Sequence, residues 1–470
     1  MITYILYELI WLFNHFVIVY VTVMSGIFVV QTIIAIFSSA SYAMKTRNIE
    51  YRKLSESPNM IPMSVLMPGY NEQDTIVDSV KSMMTLHYPE YEVIVINDGS
   101  KDDTLQTVIK AFSLQKIDYP LRERIPSKKV RGIYYNPDIP RLKLIDKENG
   151  GKADALNAGI NLSLYPYFVS VDADSLLQSD ALLRLAIAFM EDKHTIAAGG
   201  VVRVVNGCKE ENGEVVSIGI PKGIWAKFQL VEYFRAFLVG RMGWNSTNAL
   251  LIISGAFGAF QKEHVLSVGG YTTGTVGEDM ELVIKLHEYM LKKKYKYKVL
   301  FMPDPICWTQ VPEDLKVLYR QRRRWQIGLI DVMGRHRKMF LNPRYKAVGL
   351  LGMPYFFLFE MVAPIVETLG YFTVPASYYF GIISFEAMAL FFIASVFFGV
   401  IISMGSLIVE QFSYRNTLLV REFLLLTFLG IAENLFYRQM TVYFRLMGIL
   451  QAKKHKHSWG AMTRRKFSAT

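Results

Sequence analysis

The chain has 470 residues, of which 51% are hydrophobic, and its formal net charge is +11 at neutral pH. This length accommodates one catalytic domain of about 200–300 residues together with several membrane spans. Its two cysteines, Cys208 and Cys307, argue against a disulfide framework and fit a reducing compartment. The basic balance requires no nucleic-acid partner, because no base-stacking motif accompanies it.

The first predicted element is an apolar run from about Ile10 to Ser38. It is far longer than the core of a signal peptide, about 7–15 residues, and it contains no small-residue cleavage site. We predict one membrane span of about 20 residues, with an interfacial lead-in containing Asn14 and His15. Basic residues that follow it, among them Lys45 and Arg47, mark the cytoplasmic side. We therefore expect the protein in the cell membrane, with the next segment in the cytoplasm.

From Met63 onward, short β-rich runs alternate with segments of helical spacing. The runs at 64–67, 91–96 and 167–171 are predicted as strands, and 74–86 and 101–112 as helices. This alternation indicates an α/β domain whose mostly parallel sheet carries helices on both faces. Ligands of such sheets bind outside the carboxyl ends of the strands.

Polar clusters follow each of the three strands: Tyr70-Asn71-Glu72, Asn97-Asp98-Gly99-Ser100 and Asp172-Ala173-Asp174. An Asp-Gly pair after a strand is most often a turn, and Asp-x-Asp is frequent by chance. Two carboxylates two residues apart at a strand end can nevertheless reach one Mg²⁺ or Mn²⁺ ion, which in turn bridges substrate phosphates.

Two further clusters admit both a functional and a structural interpretation. Asn149-Gly150-Gly151-Lys152-Ala153 combines flexible backbone with a cation suited to pyrophosphate, or it is a glycine turn with a solvated lysine. Gly277-Glu278-Asp279 stands ahead of a predicted helix, Met280 to Leu291, where the carboxylates are either functional or N-terminal caps. The lysine-rich run 292–296 that ends this helix is interpreted as a solvated face.

The segment Gln321-Arg322-Arg323-Arg324-Trp325 suits a pyrophosphate and a stacked sugar. Guanidinium groups bind phosphate oxygens bidentately, and an indole face packs on a pyranose ring. The alternative is a basic helix that holds lipid headgroups beside the membrane.

Apolar sequence returns from about Val348 to Val409, enough for two spans, and again from Thr417 to Phe436. A single third span would place the basic tail, 453–466, outside the cell, against the charge rule. We predict instead a short hairpin or re-entrant segment over Leu418 to Leu450, which keeps the tail inside. The tail segment 459–467 would either gate the active site or lie on the membrane.

Taken in order, these motifs resemble the processive family 2 glycosyltransferases, the group of cellulose, chitin, hyaluronan and poly-N-acetylglucosamine synthases. The resemblance runs from about Pro62 to Trp325 and extends to the surrounding membrane segments. It implies a GT-A-type nucleotide-sugar transferase domain inserted between transmembrane helices. The expected segments are an N-terminal span at 1–44, the catalytic domain at 45–310, interfacial helices at 311–345, a membrane region at 346–450 and a cytoplasmic tail at 451–470. No cyclic-dinucleotide-binding module is recognisable after the last span.

The resemblance also implies roles for individual residues. On the nucleotide-sugar side it points to Tyr70, Glu72, Asp98, Lys152 and Asp172. Asp174 would bind the divalent ion directly, with Asp172 next to it. Asp279 matches the general base, with Glu278 next to it. Gln321, Arg324 and Trp325 match the motif at the acceptor and pyrophosphate end. Two further segments resemble those beside the acceptor site in the family. One contains Gln229, Glu232 and Tyr233, and the other is Ser254-Gly255-Ala256-Phe257.

The implied activity is inverting transfer of N-acetylglucosamine or glucose from a UDP-sugar to a growing polysaccharide. With glucose the product would be a β-glucan, which includes the mixed-linkage type. It needs a base and a divalent ion but no covalent nucleophile, and the scattered histidines do not suggest zinc. Export between the protein's own helices would need a polar path, for which Tyr355, Glu360, Glu367 and Tyr371 are candidates, unless the glutamates lie in the headgroup region. Membrane lipids, and accessory export or membrane subunits, are the expected partners. The alternatives are a non-processive enzyme acting on a lipid carrier, and a transport or scaffold subunit with a degenerate transferase domain.

Overall fold

The computed structural model describes residues 2–47, 49–211, 213–414 and 420–452. The predicted basic tail from Lys453 onward, including the proposed gating segment, lies outside the described residues.

The catalytic segment contains a ten-stranded sheet and a separate two-stranded hairpin. The strands are β1 (Met63–Gly69), β2 (Tyr91–Asn97), β3 (Gln115–Ile117), β4 (Val130–Tyr135), β5 (Leu142–Lys147), β6 (Tyr167–Val171), β7 (Ser175–Leu177), β8 (Thr195–Val204), β9 (Lys209–Glu211), β10 (Glu214–Ser217), β11 (Phe257–Gln261) and β12 (Lys298–Thr309). The sheet order is β3-β4-β5-β2-β1-β6-β11-β8-β12-β7, and β9 pairs with β10.

The α/β fold is confirmed, and the sheet is mixed. Strands β5, β2, β1 and β6 pair in parallel and form its centre, and β8 pairs in parallel with β12. Strand β11 runs antiparallel between β6 and β8, and β3, β4 and β7 also pair antiparallel. The carboxyl ends of β1, β2 and β6 therefore lie at one edge, where the predicted motifs follow them.

The central strands are apolar at nearly every position because helices cover both faces of the sheet. Leu66 and Ile94 belong to one buried cluster, which the helices at 152–162 and 278–293 help to form. Their neighbours Val65 and Val93 point to the opposite face and pack with the helices at 76–84 and 181–191. The alternation along each strand thus builds two cores.

The helices of this segment carry the remaining motifs. They are α2 (Tyr51–Ser55), α3 (Ile76–Met84), α4 (Thr104–Ala111), α5 (Lys152–Leu162), α6 (Ala181–Glu191), α7 (Ile224–Tyr233), α8 (Gly240–Asn245), α9 (Lys262–Ser267), α10 (Glu278–Lys293) and α11 (Leu315–Arg335). A π-helical segment, Phe234–Val239, joins α7 to α8. Helix α11 begins after Asp314, whose carboxylate accepts hydrogen bonds from the amides of Lys316 and Val317.

The apolar regions are helical. They comprise α1 (Ile2–Thr46), α12 (Met353–Tyr355), α13 (Ala363–Tyr379), α14 (Phe385–Tyr414), α15 (Val420–Ala432) and α16 (Arg438–Gln451). Of the described helices, the stretches Tyr7–Thr46 and Phe385–Gln411 are long and apolar enough to cross a membrane. A third candidate is the pair Val348–Met361 and Ala363–Tyr379, which meet at a bend of 43°. The block from Val348 to Val409, predicted to hold two spans, thus contains this bent pair and α14.

The hairpin predicted over Leu418 to Leu450 is wrong. Helix α15, a π-helical turn at Glu433–Tyr437 and α16 follow one another without a turn residue between Val420 and Gln451. Helix α16 lies against α11, and the contact is close at Gly448, where an added Cβ would sit 2.9 Å from Cβ of Gln326. The hairpin was inferred from the charge of the tail, whereas the structure shows a continuous helical run packed along α11.

Candidate active site

The loops after β1 and β2 interlock at the carboxyl edge of the sheet. The amide of Asn71 donates to Oγ of Ser100 over 3.0 Å, and the amide of Glu72 donates to Oγ1 of Thr104 over 2.8 Å. The carboxylate of Glu72 accepts a 3.1 Å hydrogen bond from the hydroxyl of Thr75. Tyr70, half-buried, stands at the end of β1. Two motifs that are 25 or more residues apart in sequence therefore form one wall.

Asp98 is buried, and both its carboxylate oxygens accept hydrogen bonds from the protein. Oδ1 accepts from Nζ of Lys147 at 2.7 Å and from the amide of Gly150 at 3.0 Å, and Oδ2 accepts from the amide of Gly151 at 2.7 Å. Gly99 has φ +65°, and a Cβ there would lie 2.7 Å from the amide nitrogen of Asn149. Asp98 thus positions the glycine loop that precedes Lys152. The sequence analysis missed Lys147, which is fully buried between Asp98 and Asp154.

Lys152 is the first residue of α5, and its side chain is only 9% exposed, whereas the structural interpretation expected a solvated lysine. Its ammonium pairs with Asp172, donates to the carbonyl of Gly255 over 3.0 Å and lies 3.9 Å from the carboxylate of Glu278. Burial acts to lower the pKa of Lys152, but the charges of Asp172 and Glu278 together raise it above its ordinary value. The ammonium therefore remains protonated at neutral pH and links β6, α5 and α10.

Asp172 and Asp174 follow β6 and differ in exposure. The side chain of Asp172 is 32% exposed, whereas Asp174 is 8% exposed as a residue. Burial and the neighbouring charge of Asp172 raise the pKa of Asp174 to about 7. Two close carboxylates that disfavour each other's charge are a donor set that a divalent cation would relieve. Within the described ranges no group of three or more His, Cys, Asp or Glu side chains could hold a metal.

Glu278 and Asp279 form the start of α10, after Gly277 at the N-cap. Oδ2 of Asp279 accepts from the amide of Gly255 at 3.2 Å, and Oδ1 accepts from the amide of Met280 at 2.8 Å. Glu278 is buried, and burial raises its pKa although the charge of Lys152 opposes this. Neither carboxylate is the N-cap itself. Both lie in the first turn, where the helix dipole favours their negative charge.

Gly255 lies at the centre of this arrangement. Its carbonyl accepts from Lys152 and its amide donates to Asp279. A Cβ at this position would lie 2.8 Å from Nζ of Lys152 and 3.5 Å from Cβ of Asp279. The segment Ser254–Phe257, identified by resemblance alone, therefore connects the aspartate of α10 to the lysine of α5.

The arginines of the Gln321–Trp325 segment face three different directions. Arg322 is buried and pairs with Glu232 at 2.6 Å, while its guanidinium also donates to Oε1 of Gln321 over 3.0 Å. Arg323 donates to Gln451 of α16 over 2.8 Å. Arg324 is half-buried, and its positive charge acts on both Asp174 and Glu278. Arg324 is therefore the arginine of this segment whose charge reaches those carboxylates.

Trp325 is exposed at 36%, with the guanidinium of Arg322 4.2 Å from its ring centroid. The ring centroid of Phe237 lies 5.8 Å from that of Trp325 and 4.3 Å from that of Tyr233. The hydroxyl of Tyr437, a residue the sequence analysis missed, donates to Glu232 over 2.7 Å. Gln229, expected beside the acceptor, is fully buried and donates to the carbonyl of Pro312 over 2.7 Å. It holds the chain that leads into α11.

The candidate polar residues of the membrane region are paired. Glu367 forms two 3.1 Å contacts with Arg438, and Glu360 lies 3.0 Å from Arg445. The hydroxyl of Tyr371 lies 3.4 Å from Glu367, whereas Tyr355 is buried among aromatic rings. The two arginines belong to α16, so this helix connects the membrane region to the Gln321–Trp325 helix.

Two family models match the chain. Glycosyl transferase family 2 matches residues 64–237, and glycosyl transferase family group 2 matches residues 167–409, more than half of the chain. The chain belongs to glycosyl transferase family 2. The first match covers the loops after β1, β2 and β6, and the second covers α10, α11 and the helices up to α14.

Curated relatives agree with this assignment. The chain is 30% identical over 314 residues to a poly-beta-1,6-N-acetyl-D-glucosamine synthase of Staphylococcus epidermidis, a match covering 66% of this chain and 63% of that protein. It is also 30% identical over 361 residues to the synthase of the same description from Staphylococcus aureus strain MSSA476, covering 75% of this chain and 73% of that protein. The match thus spans slightly less than two thirds of the Staphylococcus epidermidis relative.

A solved structure shares the fold. It is a mannosyltransferase from Pyrobaculum calidifontis in complex with GDP-Man and Mn²⁺, with a TM-score of 0.50 and 19% sequence identity, covering 88% of this chain and 99% of that one. At this identity the likeness supports the GT-A-type fold, which the mixed sheet and its flanking helices also support.

Proposed function

We propose that this protein is a membrane-embedded, inverting glycosyltransferase that elongates a β-linked N-acetylglucosamine polysaccharide from a UDP-sugar. The observation that carries the proposal is the chain of contacts that joins Asp279, Gly255, Lys152 and Asp172. The choice of sugar rests on the Staphylococcus relatives, which are poly-beta-1,6-N-acetyl-D-glucosamine synthases. The Mn²⁺ and nucleotide sugar of the Pyrobaculum structure support the expectation of a divalent ion.

Asp279 is the base in this proposal. The acceptor hydroxyl attacks the anomeric carbon of the donor sugar and gives its proton to the carboxylate of Asp279, while the bond from that carbon to the diphosphate breaks and its electron pair leaves with UDP. The amide of Gly255 orients the carboxylate. Attack opposite the leaving group inverts the anomeric configuration, so an α-linked donor yields a β-linked product.

The leaving diphosphate is opposite in charge to two nearby cations. The charge of Arg324 acts on Asp174, and Lys152 stays protonated next to Asp172. Asp172 and Asp174 would hold Mg²⁺ or Mn²⁺, which when bound would neutralise charge on the diphosphate oxygens. Tyr70, Glu72 and Asp98 shape the wall on which the nucleotide would rest, with Asp98 acting through the glycine loop.

Processivity and export form the finer part of the proposal. Trp325, on the helix that α16 contacts, offers an aromatic face to the newly added sugar, and the paired groups Glu360–Arg445 and Glu367–Arg438 lie between that helix and the membrane region. A polysaccharide cannot cross hydrocarbon unaided, because each unpaired hydroxyl costs several kcal/mol there. A path along these groups would supply hydrogen-bond partners.

The test is product analysis with purified protein. UDP-N-acetylglucosamine should give a long polymer sensitive to a β-1,6-N-acetylglucosamine hydrolase, and UDP-glucose should give little. Addition of a single sugar to a lipid would indicate the non-processive alternative, and the absence of UDP release would indicate a degenerate domain. In sealed vesicles with the catalytic side outward, polymer protected from added hydrolase until detergent is present supports export. Polymer that stays fully accessible contradicts export by this chain alone.

A further inference from the structure

The guanidinium of Arg241 is buried without a hydrogen-bond acceptor for its Nη1. Arg241 lies on α8 and is only 5% exposed, and no hydrogen bond or ion pair of its side chain is found among the described residues. Its contacts are with ring faces, at 4.5 Å from the centroid of Phe237 and 5.9 Å from that of Phe301. Buried donors are almost always paired. The buried Arg203 and Arg322 each have a glutamate partner, whereas Arg241 has none among the described residues.

Arg241 interacts with the proposed base and with an aromatic cluster formed by Phe237, Trp325 and Tyr233. Its charge interacts with Asp279 and Tyr233. The distance from its guanidinium to Asp279 is longer than that of an ion pair. Phe237, over which it stacks, also contacts Trp325 and Tyr233. The acceptor must bring its hydroxyl to Asp279 and its ring to Trp325, so the acceptor's terminal sugar would lie beside this guanidinium.

Arg241 keeps its charge there. Burial lowers the pKa of Arg241 to about 10, while Asp279 and Tyr233 act to raise it, so the group is cationic at neutral pH. A buried guanidinium with a vacant donor is costly, and a ligand oxygen would remove that cost. Phe237 and Phe301 lie against the guanidinium, and Asp279 is the carboxylate whose charge acts on it.

An uncharged oxygen is the hydrogen-bond acceptor that best suits this guanidinium. A carboxylate would place a second anion beside Asp279 and compete with its role as base. A hydroxyl is both donor and acceptor, whereas an amide carbonyl only accepts, and the methyl group of an acetamide can pack on Phe237. We propose that Arg241 binds the acetamido carbonyl of the terminal sugar of the acceptor. This rests on the proposed function and makes Arg241 a determinant of acceptor specificity.

The experiment compares two neutral acceptors, β-1,6-linked tetrasaccharides of N-acetylglucosamine and of glucose, with UDP-N-acetylglucosamine as donor. Arg241→Met removes the donors and keeps an apolar stem against Phe237. We expect kcat/KM for the acetamido acceptor to fall about 10- to 100-fold, the range for loss of a charged hydrogen bond. We expect kcat/KM for the glucose acceptor to change less than threefold, so that the variant no longer distinguishes the two. Arg241→Lys should recover part of the discrimination.

Two controls separate this inference from the proposed function. Arg141→Met removes another arginine that stacks on a ring, 4.8 Å from the centroid of Tyr91, at the amino end of the sheet, and should leave both acceptors unaffected. Hydrolysis of the donor by water in the absence of oligosaccharide is measured for both variants, and Arg141→Met should leave it unchanged. If the wild type transfers no sugar to either tetrasaccharide, the proposed function fails first.

Three results would overturn the inference while the wild type remains active. Equal losses on both acceptors and on water would show that Arg241 orients Asp279 and does not read the acetamide. A change confined to the KM of the donor would place the contact on the donor sugar. Loss of UDP binding by both Arg241→Met and Arg241→Lys would assign the residue a structural role.

Discussion

Gly255→Ala tests the centre of the site with one added methyl group. The backbone of Gly255 does not have a positive φ, so alanine is compatible with the local conformation. The new Cβ would lie 2.8 Å from Nζ of Lys152. Ordinary contact begins at 3.4 Å, and the ammonium must therefore retreat by roughly 0.6 Å.

That retreat has a cost because Lys152 is held from two sides. It pairs with Asp172 and donates to the carbonyl of Gly255 over 3.0 Å. Losing a hydrogen bond from a charged group costs about 1.5–3 kcal/mol, and if this loss is felt in the transition state the rate falls about 10- to 100-fold. The same methyl group would be in ordinary contact with Asp279, at 3.5 Å, so the base should stay in place.

The assay is the initial rate of UDP release at saturating UDP-N-acetylglucosamine, with UDP affinity measured separately. Gly334→Ala is a matched control, because nothing lies within 4 Å of the Cβ it would add on α11, and it should keep the wild-type rate. We expect Gly255→Ala to lose rate with its thermal stability within a few degrees of wild type. A rate within twofold of wild type would refute the reasoning that Lys152 must occupy this position.

Three further predictions concern other groups of the site. Asp279→Asn retains size and hydrogen bonding but accepts no proton, so transfer should fall about 10²-fold or more while UDP affinity stays near wild type; weakened UDP binding with unchanged turnover would contradict the assignment as base. EDTA should abolish transfer and Mg²⁺ or Mn²⁺ should restore it if Asp172 and Asp174 hold the ion, and full activity in chelator would remove that assignment. Glu232→Gln leaves the buried Arg322 without its ion-pair partner and should destabilise the protein by about 3–5 kcal/mol, whereas Tyr437→Phe removes one hydroxyl and should cost about 0.5–1.5 kcal/mol. Heat-induced loss of folded protein in detergent measures both, and a Tyr437→Phe variant as unstable as Glu232→Gln would contradict this ranking.

The sequence by itself determined the α/β class and the positions of the chemical groups. Apolar runs such as Tyr91 to Ile96 form central strands because only buried positions are uniformly apolar. The polar clusters after β1, β2 and β6 meet because parallel strands end at the same edge. The order of the motifs along the chain was enough to identify the family, because each motif is weak alone and the full succession is specific.

Only the tertiary structure decided which residue faces which. Sequence spacing does not distinguish the arginines at 322, 323 and 324, which α11 turns toward Glu232, toward α16 and toward the carboxylates. Arg241 and Tyr437 carry no local signal, because their significance comes from Asp279 and Glu232, each remote in sequence. The mixed pairing of β11 and the unbroken helical run from Val420 to Gln451 depend on packing partners distant in the chain. Long-range contacts fix side-chain direction, and local periodicity contains no information about them.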